Sequence, residues 1–300
     1  MTAPANPAKL GFEYALLGVL ALLWGSSYLF LKVAVEEIPP ITLIALRVTI
    51  AAVILYGVLV LKGQTLPRDG ATWWQLLVQS FFNSIGAWTI LAWGQQYVDS
   101  GLASVLNSTS PIFVFLFTYF VTRHEVLSPL KLSGALLGLA GVVLIVGTDA
   151  LEGLGHHVAG QLAALVGAML YACAAIYGKR LSHVSATATA TGAMIWATLV
   201  LVPASMVLEQ PWTLPLPSLK AIAAASVLAV FCTAGALLIY FRLIKTLGSL
   251  GVASQAYLRA GVGVLLGIVF LGEQITLIIG LGLVAAILGV AAINMPQRAK

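Results

Sequence analysis

The sequence alternates between long apolar runs and short polar breaks. Cutting it at charges, prolines and glycines leaves ten runs, at 12–35, 39–61, 72–97, 101–122, 129–148, 159–178, 186–208, 219–241, 249–272 and 275–294. About 20 apolar residues cross a hydrocarbon core as a helix. The pattern therefore predicts an all-α membrane protein of ten transmembrane helices. The breaks are short, which predicts one integral bundle. The longest, 209–220, holds Pro211, Pro215 and Pro217 and is too short for a domain. Residues 1–11 lack the apolar core and cleavage site of a leader, so the first run reads as a span.

Composition sharpens this. The chain is 60% hydrophobic and 8% charged, against about 25% charged in a soluble domain. A soluble enzyme is excluded, and the net charge of +5 belongs to loop orientation rather than to nucleic acid. One set of alternate breaks, with both termini, carries Lys9, Lys62, Arg68, Arg123, Lys131, Lys179, Arg180, Arg242, Lys245, Arg298 and Lys300. The other set carries Lys220, with Lys32 near its edge, and most of the acids: Glu36, Glu37, Asp99, Asp149, Glu152, Glu209 and Glu273. Lysine and arginine favour the cytoplasmic side, so both termini are expected there, in a bacterial inner membrane.

The chain also repeats itself. Trp24 and Lys32 match Tyr171 and Lys179 at a spacing of 147, Glu125 matches Glu273 at 148, and GLAS at 101–104 matches GVAS at 251–254 at 150. In the fifth and tenth runs, Gly134, Gly138 and Gly141 match Gly282, Ala286 and Gly289. Two units are expected, 1–150 and 151–300. Five spans in each force the second to enter from the opposite face, giving two five-helix inverted repeats. Secondary transporters use this arrangement, with substrate held near the midplane. The small residues at helical spacing permit close backbone approach and predict a packing seam, either between halves or in a homodimer.

Polar side chains inside spans must be paired or line water. Trp24, Ser27 and Tyr28 share one face of the first span. Gln79, Asn83, Gly86 and Trp93 form a stripe on the third. The fourth holds Asn107, Ser108, Ser110 and Pro111, the sixth Tyr171 and Tyr177. The ninth has Gln255 and Arg259 one turn apart, flanked by Ser254 and Tyr257. A wet centre among spans one, three, four, six and nine follows. Its candidate substrate contacts are Arg259, Gln255, Tyr257, Asn83, Gln79, Asn107, Trp24, Tyr28 and Tyr171. Gly261, Gly263 and Gly267 thin the ninth helix where a gate could bend, and Pro111 marks the fourth.

Two arginines, Arg47 and Arg259, lie deep, and no Asp or Glu lies comparably deep. A guanidinium stays charged. Its partner is a helix carbonyl end, trapped water or the anion of a ligand, and arginine grips a carboxylate bidentately. With no deep acid, the protein is a facilitator, or coupling runs through a group near a span end such as Glu13. Cys173 and Cys232 sit in apolar runs, and the four histidines, His124, His156, His157 and His183, in loops. No nucleophile–base pair, nucleotide loop or metal-ligand spacing occurs, so no catalytic residue, cofactor or metal is predicted.

LWGSSYLFLK at 23–32, IALRVTIAAVIL at 44–55, SPIFVFLFTYFVTRHE at 110–125 and YLRAGVGVLLGIVFLGEQIT at 257–276 together resemble the drug/metabolite transporter superfamily in its ten-helix EamA-like branch. The likeness covers essentially the whole chain. It implies a metabolite carrier, often an exporter of amino acids or related compounds, working by alternating access as the two halves rock. It also implies a structural role for Arg47, which matches an arginine usual in the family's second span. The family's proline after the Tyr-Leu pair is replaced here by Ala260 or Gly261, so the fourth and ninth helices need not kink alike. A broad exporter of drugs remains open as a second reading, and a membrane-embedded enzyme or sensor as a third.

Overall fold

The computed structural model describes residues 7–98, 100–122, 128–146, 157–266 and 276–295, all in helices and short connections. The first span is Pro7–Val35, the second Pro40–Leu61, the third Gly70–Gly94. The fourth comes in two pieces, Ser100–Asn107 and Ser110–Phe117, and the fifth is Pro129–Val146. The sixth, Val158–Tyr177, runs into a tight turn, Gly178–Leu181, and the seventh is Ala186–Leu208. The tenth is Leu277–Asn294.

The eighth and ninth differ from the expectation of a polar connection between them. Helix runs on over Leu219–Ala253, 35 residues. At 1.5 Å per residue that is about 50 Å, too long for one crossing of about 30 Å. The break is Gly248, at φ 80° and ψ 177°, a backbone state open essentially only to glycine. The eighth span thus reaches Leu247, carrying Arg242 and Lys245 on its last turns. The ninth starts at Ser249 and continues as Gln255–Leu266. Ten spans result, and the Tyr14 hydroxyl donating to the Asn294 carbonyl at 3.2 Å places both ends of the bundle on one face. We call this the terminal face and the other the distal face.

The repeats are visible in the backbone. Phe82, Gly86, Ala87 and Ile90 of the third span stand 149 residues before Phe231, Gly235, Ala236 and Ile239 of the eighth. Both spans widen into π-helix at this same place, Phe81–Trp88 and Val230–Gly235. Both also start on a side-chain cap: Asp69 accepts from the Thr72 amide, and Ser218 from the Ala221 amide. The expected boundary near residue 150 falls outside the described residues.

Packing does not follow the repeats. The first span lies against the eighth and ninth, and the sixth against the third and fourth, so each repeat lends its first helix to the other. The second packs along the seventh and the fifth along the tenth. On the distal face two carboxylates bind across the halves. Glu209, after the seventh span, accepts from the Ile41 and Thr42 amides (2.9 and 2.6 Å) at the start of the second. Glu37, after the first, accepts from the Ser218 amide and hydroxyl (2.6 Å each) at the start of the eighth. Both sit at helix N-termini, where unpaired amides and the helix dipole favour an anion. These hydrogen bonds hold the Glu37 carboxyl below its usual range.

The fifth–tenth seam is the glycine face read from the sequence, and here it joins the two halves of one chain. A Cβ on Gly141 would lie 2.6 Å from the Ala286 amide nitrogen, one on Gly289 2.6 Å from that of Gly138, and one on Gly282 2.8 Å from the Gly141 carbonyl. A Cβ on Gly134 would meet the Gly289 carbonyl at 2.9 Å. Gly138 faces another way, against the ring of Tyr257.

Because backbone cannot step aside as a side chain can, Gly289→Val is expected to destabilise the protein by about 1–3 kcal/mol through overpacking. Gly280→Ala, where a Cβ meets nothing within 4 Å, should leave it unchanged. Thermal unfolding in detergent compares the two; equal midpoints would show the seam to be loose.

Candidate functional site

The π-segment of the third span decides which of its side chains face inward. A π-turn holds about one residue more than an α-turn, so the inward face advances by one position beyond it. Gln79 before the segment and Asn83 near its start are fully buried. From its last residue onward, the inward positions are Trp88, Leu91 and Gln95. Trp93, placed on the same stripe by α-helical periodicity, instead lies 41% exposed on the outer flank against Tyr97.

Trp88, Leu91 and Gln95 form one wall of a cavity reaching from mid-depth toward the distal face. Trp24, Ser27 and Leu31 of the first span form the opposite wall. Ile44 and Arg47 come from the second span, Tyr171 from the sixth and Arg259 from the ninth. The cavity proper is about 40 Å³, and about 420 Å³ when the open mouth is counted. Two wider grooves lie on the flank of the bundle, one along Phe82, Phe117 and Cys173, the other along Phe81, Ile85 and Trp93. The smaller cavity alone gathers two guanidinium groups at mid-depth.

Arg47 is 5% exposed. Its Nε donates to the Thr233 hydroxyl and its Nη2 to the Cys232 carbonyl at 3.2 Å, while its guanidinium carbon sits 4.2 Å from the centre of the Trp88 ring. Cys232 and Thr233 lie in the π-segment of the eighth span. There the wider turn lets a carbonyl point away from its own helix. The same Cys232 carbonyl accepts from Trp24 Nε1 at 3.0 Å. One widened turn thus fixes the first and second spans together.

Arg259 depends on a close approach. A Cβ on Gly25 would lie 3.0 Å from Val262 Cβ and 3.3 Å from the Arg259 carbonyl. The first and ninth helices therefore touch through their backbones, and this carries the Arg259 guanidinium carbon to 5.9 Å from the Trp24 ring centre. Trp24 also packs on Tyr171 (6.4 Å) and Tyr240 (5.2 Å). Two cations and three aromatic rings thus line one space, and none of the described residues lining it is acidic.

Trp24, Tyr171, Arg47 and Arg259 are the sequence candidates that meet here; Trp88 and Gln95 were not foreseen. Tyr257 stands two residues from Arg259, so the helix turns it away. It is fully buried, donates to the Ala135 carbonyl at 2.8 Å, and packs on Gly138. Gln255 and Asn107 are buried outside the cavity lining. Gln79 and Asn83 lie nearer the terminal face, their amide atoms without a hydrogen-bond partner among the described residues. Pro111 restarts the fourth span after a break at Ser108–Thr109, where the Ser108 hydroxyl donates to the Ala256 carbonyl at 3.3 Å. The ninth span has its own break at Ser254. Gly261 faces Leu283 across the ninth–tenth contact. The Tyr28 side chain, the surroundings of Gly263, and Gly267 lie outside the described residues.

On the terminal side, the described ends of the first, sixth and eighth spans are tied together. Arg242 pairs with Glu13 at 2.6 Å, and Thr246 donates to the same carboxylate at 3.1 Å. Lys245 donates to the Val184 carbonyl. Ile244 rests on Gly178, where a Cβ would come within 2.8 Å of its Cδ1.

Residues 12–147 and 158–295 each match the EamA-like transporter family. The uncharacterized inner membrane transporter YedA of Escherichia coli (strain K12) is 28% identical over 94% of this chain and 90% of its own length. The uncharacterized transporter YoaV of Bacillus subtilis (strain 168) is 32% identical over 55% of this chain and 56% of its own. A solved crystal structure superposes with a TM-score of 0.79 at 20% identity, covering 94% of this chain and 96% of that one, which establishes a shared fold.

Removing the partner of a buried cation leaves it underbonded, at a cost of about 1–3 kcal/mol. Thr233→Val should therefore lower the unfolding midpoint clearly. Ser27→Ala, whose hydroxyl bonds only back to the Trp24 carbonyl of its own helix, should not. The same unfolding assay reads both, and an unchanged Thr233→Val midpoint would refute the anchoring role of the eighth-span π-segment.

Proposed function

Because the chain belongs to the EamA-like transporter family, we propose that it carries small carboxylate-bearing metabolites across a bacterial inner membrane by alternating access. The favoured substrates are amino acids with apolar or aromatic side chains. Direction is outward, with both termini cytoplasmic, as loop charge and family resemblance suggest. The observation that carries the substrate class is the pairing of Arg259 with Arg47 in a cavity whose described lining has no acidic residue. Arg259, which stands over the Trp24 ring in that cavity, is the guanidinium assigned to the substrate carboxylate. The faces of Trp24, Trp88 and Tyr171 suit an apolar or aromatic side chain and can also receive an ammonium group. Such a lining disfavours cationic drugs, which would meet two like charges at low dielectric.

Reconstituted protein should move radiolabelled aromatic or apolar amino acids between the two sides of a proteoliposome. Arg259→Ala should cut the rate by roughly tenfold or more, the equivalent of ~1.4 kcal/mol, and Arg259→Lys should retain part of it. Wild-type flux in Arg259→Ala would remove the arginine from the site. Flux of cationic toxicants without flux of amino acids would overturn the substrate class.

A further inference from the structure

The two repeats should make the same contacts twice, and in one place they do not. The last turns of the eighth span pack on the end of the sixth and its following turn, closing the terminal face. The equivalent pair is the end of the third span and the end of the first. Those ends stand apart, with the cavity between them.

The constant spacings identify the counterparts residue by residue. The first and sixth spans correspond at 147, so Gly178 answers to Leu31. The third and eighth correspond at 149, so Ile244 answers to Gln95. Ile244 rests directly on Gly178. Leu31 and Gln95 both line the cavity, on opposite walls. The one contact closes the terminal face here; the other is its unmade twin at the distal mouth.

From this asymmetry we infer that Leu31 and Gln95 are the distal gate: the cavity closes when the end of the third span swings onto the first and seats Gln95 on Leu31. The inference rests on the alternating-access reading above. Closure here goes with parting of the Ile244–Gly178 contact, because a carrier open to both faces at once would leak, and both gates are shut together only in a passing occluded state. The pair is asymmetric in chemistry. Gly178 accepts an isoleucine flush against backbone, whereas Leu31 presents a full side chain to an amide. The distal seal is therefore less tight than the terminal one, and the open mouth seen here is the state that this difference favours.

Paired cysteines test the gate. In a background with Cys173→Ala and Cys232→Ala, Leu31→Cys/Gln95→Cys is placed in proteoliposomes and treated with a short bifunctional thiol reagent. Val184→Cys/Lys245→Cys serves as the terminal-face pair, since Lys245 already reaches the Val184 carbonyl. Leu31→Cys/Trp93→Cys serves as the control that should never link. The distal pair is expected to link, to lose flux when linked and to regain it on reduction. In a four-cysteine protein, linking the terminal pair first should suppress the distal link. A distal pair that links no better than the control overturns the gate, as does a distal link that forms equally fast with and without the terminal link. Neither outcome requires a known substrate. A failure of amino-acid flux with a distal link that the terminal link slows would therefore fault the substrate assignment and leave the gate standing. Labelling of Gln95→Cys alone by a membrane-impermeant thiol reagent gives a second reading: the terminal link should raise it, and no change would also overturn the proposal.

Discussion

A guanidinium at the middle of a bilayer cannot shed its charge, and among the described residues no carboxylate lines its cavity. That constraint organises the bundle. The charge of Arg47 must be met by neutral dipoles, and those dipoles must be taken from backbone that is already hydrogen-bonded. An α-helical carbonyl has only its second lone pair to offer a side chain, as Ala135 offers it to Tyr257. The eighth span widens where Arg47 arrives, and there one carbonyl, that of Cys232, serves Arg47 and Trp24 together. The position of Trp24 then sets the aromatic floor on which Arg259 lies.

The same device, used in the third span, explains which residues the sequence concealed. Ten apolar runs, their order and their duplication follow from composition and spacing, because the hydrocarbon core demands a fixed length of apolar helix. Arg47, Arg259, Trp24 and Tyr171 were legible because charge and aromatic bulk at mid-depth need a reason. Trp88 and Gln95 were not, because a periodicity of 3.6 carries the stripe from Asn83 to Trp93. Only a widened turn, which no residue type announces, moves the face on by one. Tyr257 failed for a simpler reason: two residues along a helix is more than half a turn, so it and Arg259 cannot look the same way. The junction of the eighth and ninth spans was read as a loop because of Arg242 and Lys245. Yet both side chains reach partners from within a continuous helix, and Gly248 alone makes the turn.

Inverted repeats are commonly pictured as two blocks meeting at a plane. Here the first helix of each repeat has crossed to the other side, and Glu37 and Glu209 fasten the exchange with carboxylates bound at the opposite repeat's helix ends. The packed groups are therefore mixed: the first span with the eighth and ninth, the sixth with the third and fourth. In the proposed alternating access, motion between these groups would change the first–third and sixth–eighth contacts, and the glycine seam of the fifth and tenth spans would hold backbones together as a fixed reference.

The exchange of first helices also has a consequence in time. The first span is synthesised before any of the residues that will surround it. Its tryptophan, its glycine contact and its glutamate all find their partners in the eighth and ninth spans, some 200 residues later in the chain. Until those emerge, the helix must remain in the bilayer with Glu13 unpaired and the Trp24 indole without its carbonyl. A nascent chain halted after the first repeat would then hold Arg47 at mid-depth without its hydrogen-bond acceptors Thr233 and Cys232. Such fragments should be conspicuous to the cell's quality-control proteases, and the bundle becomes secure only when its last third is made.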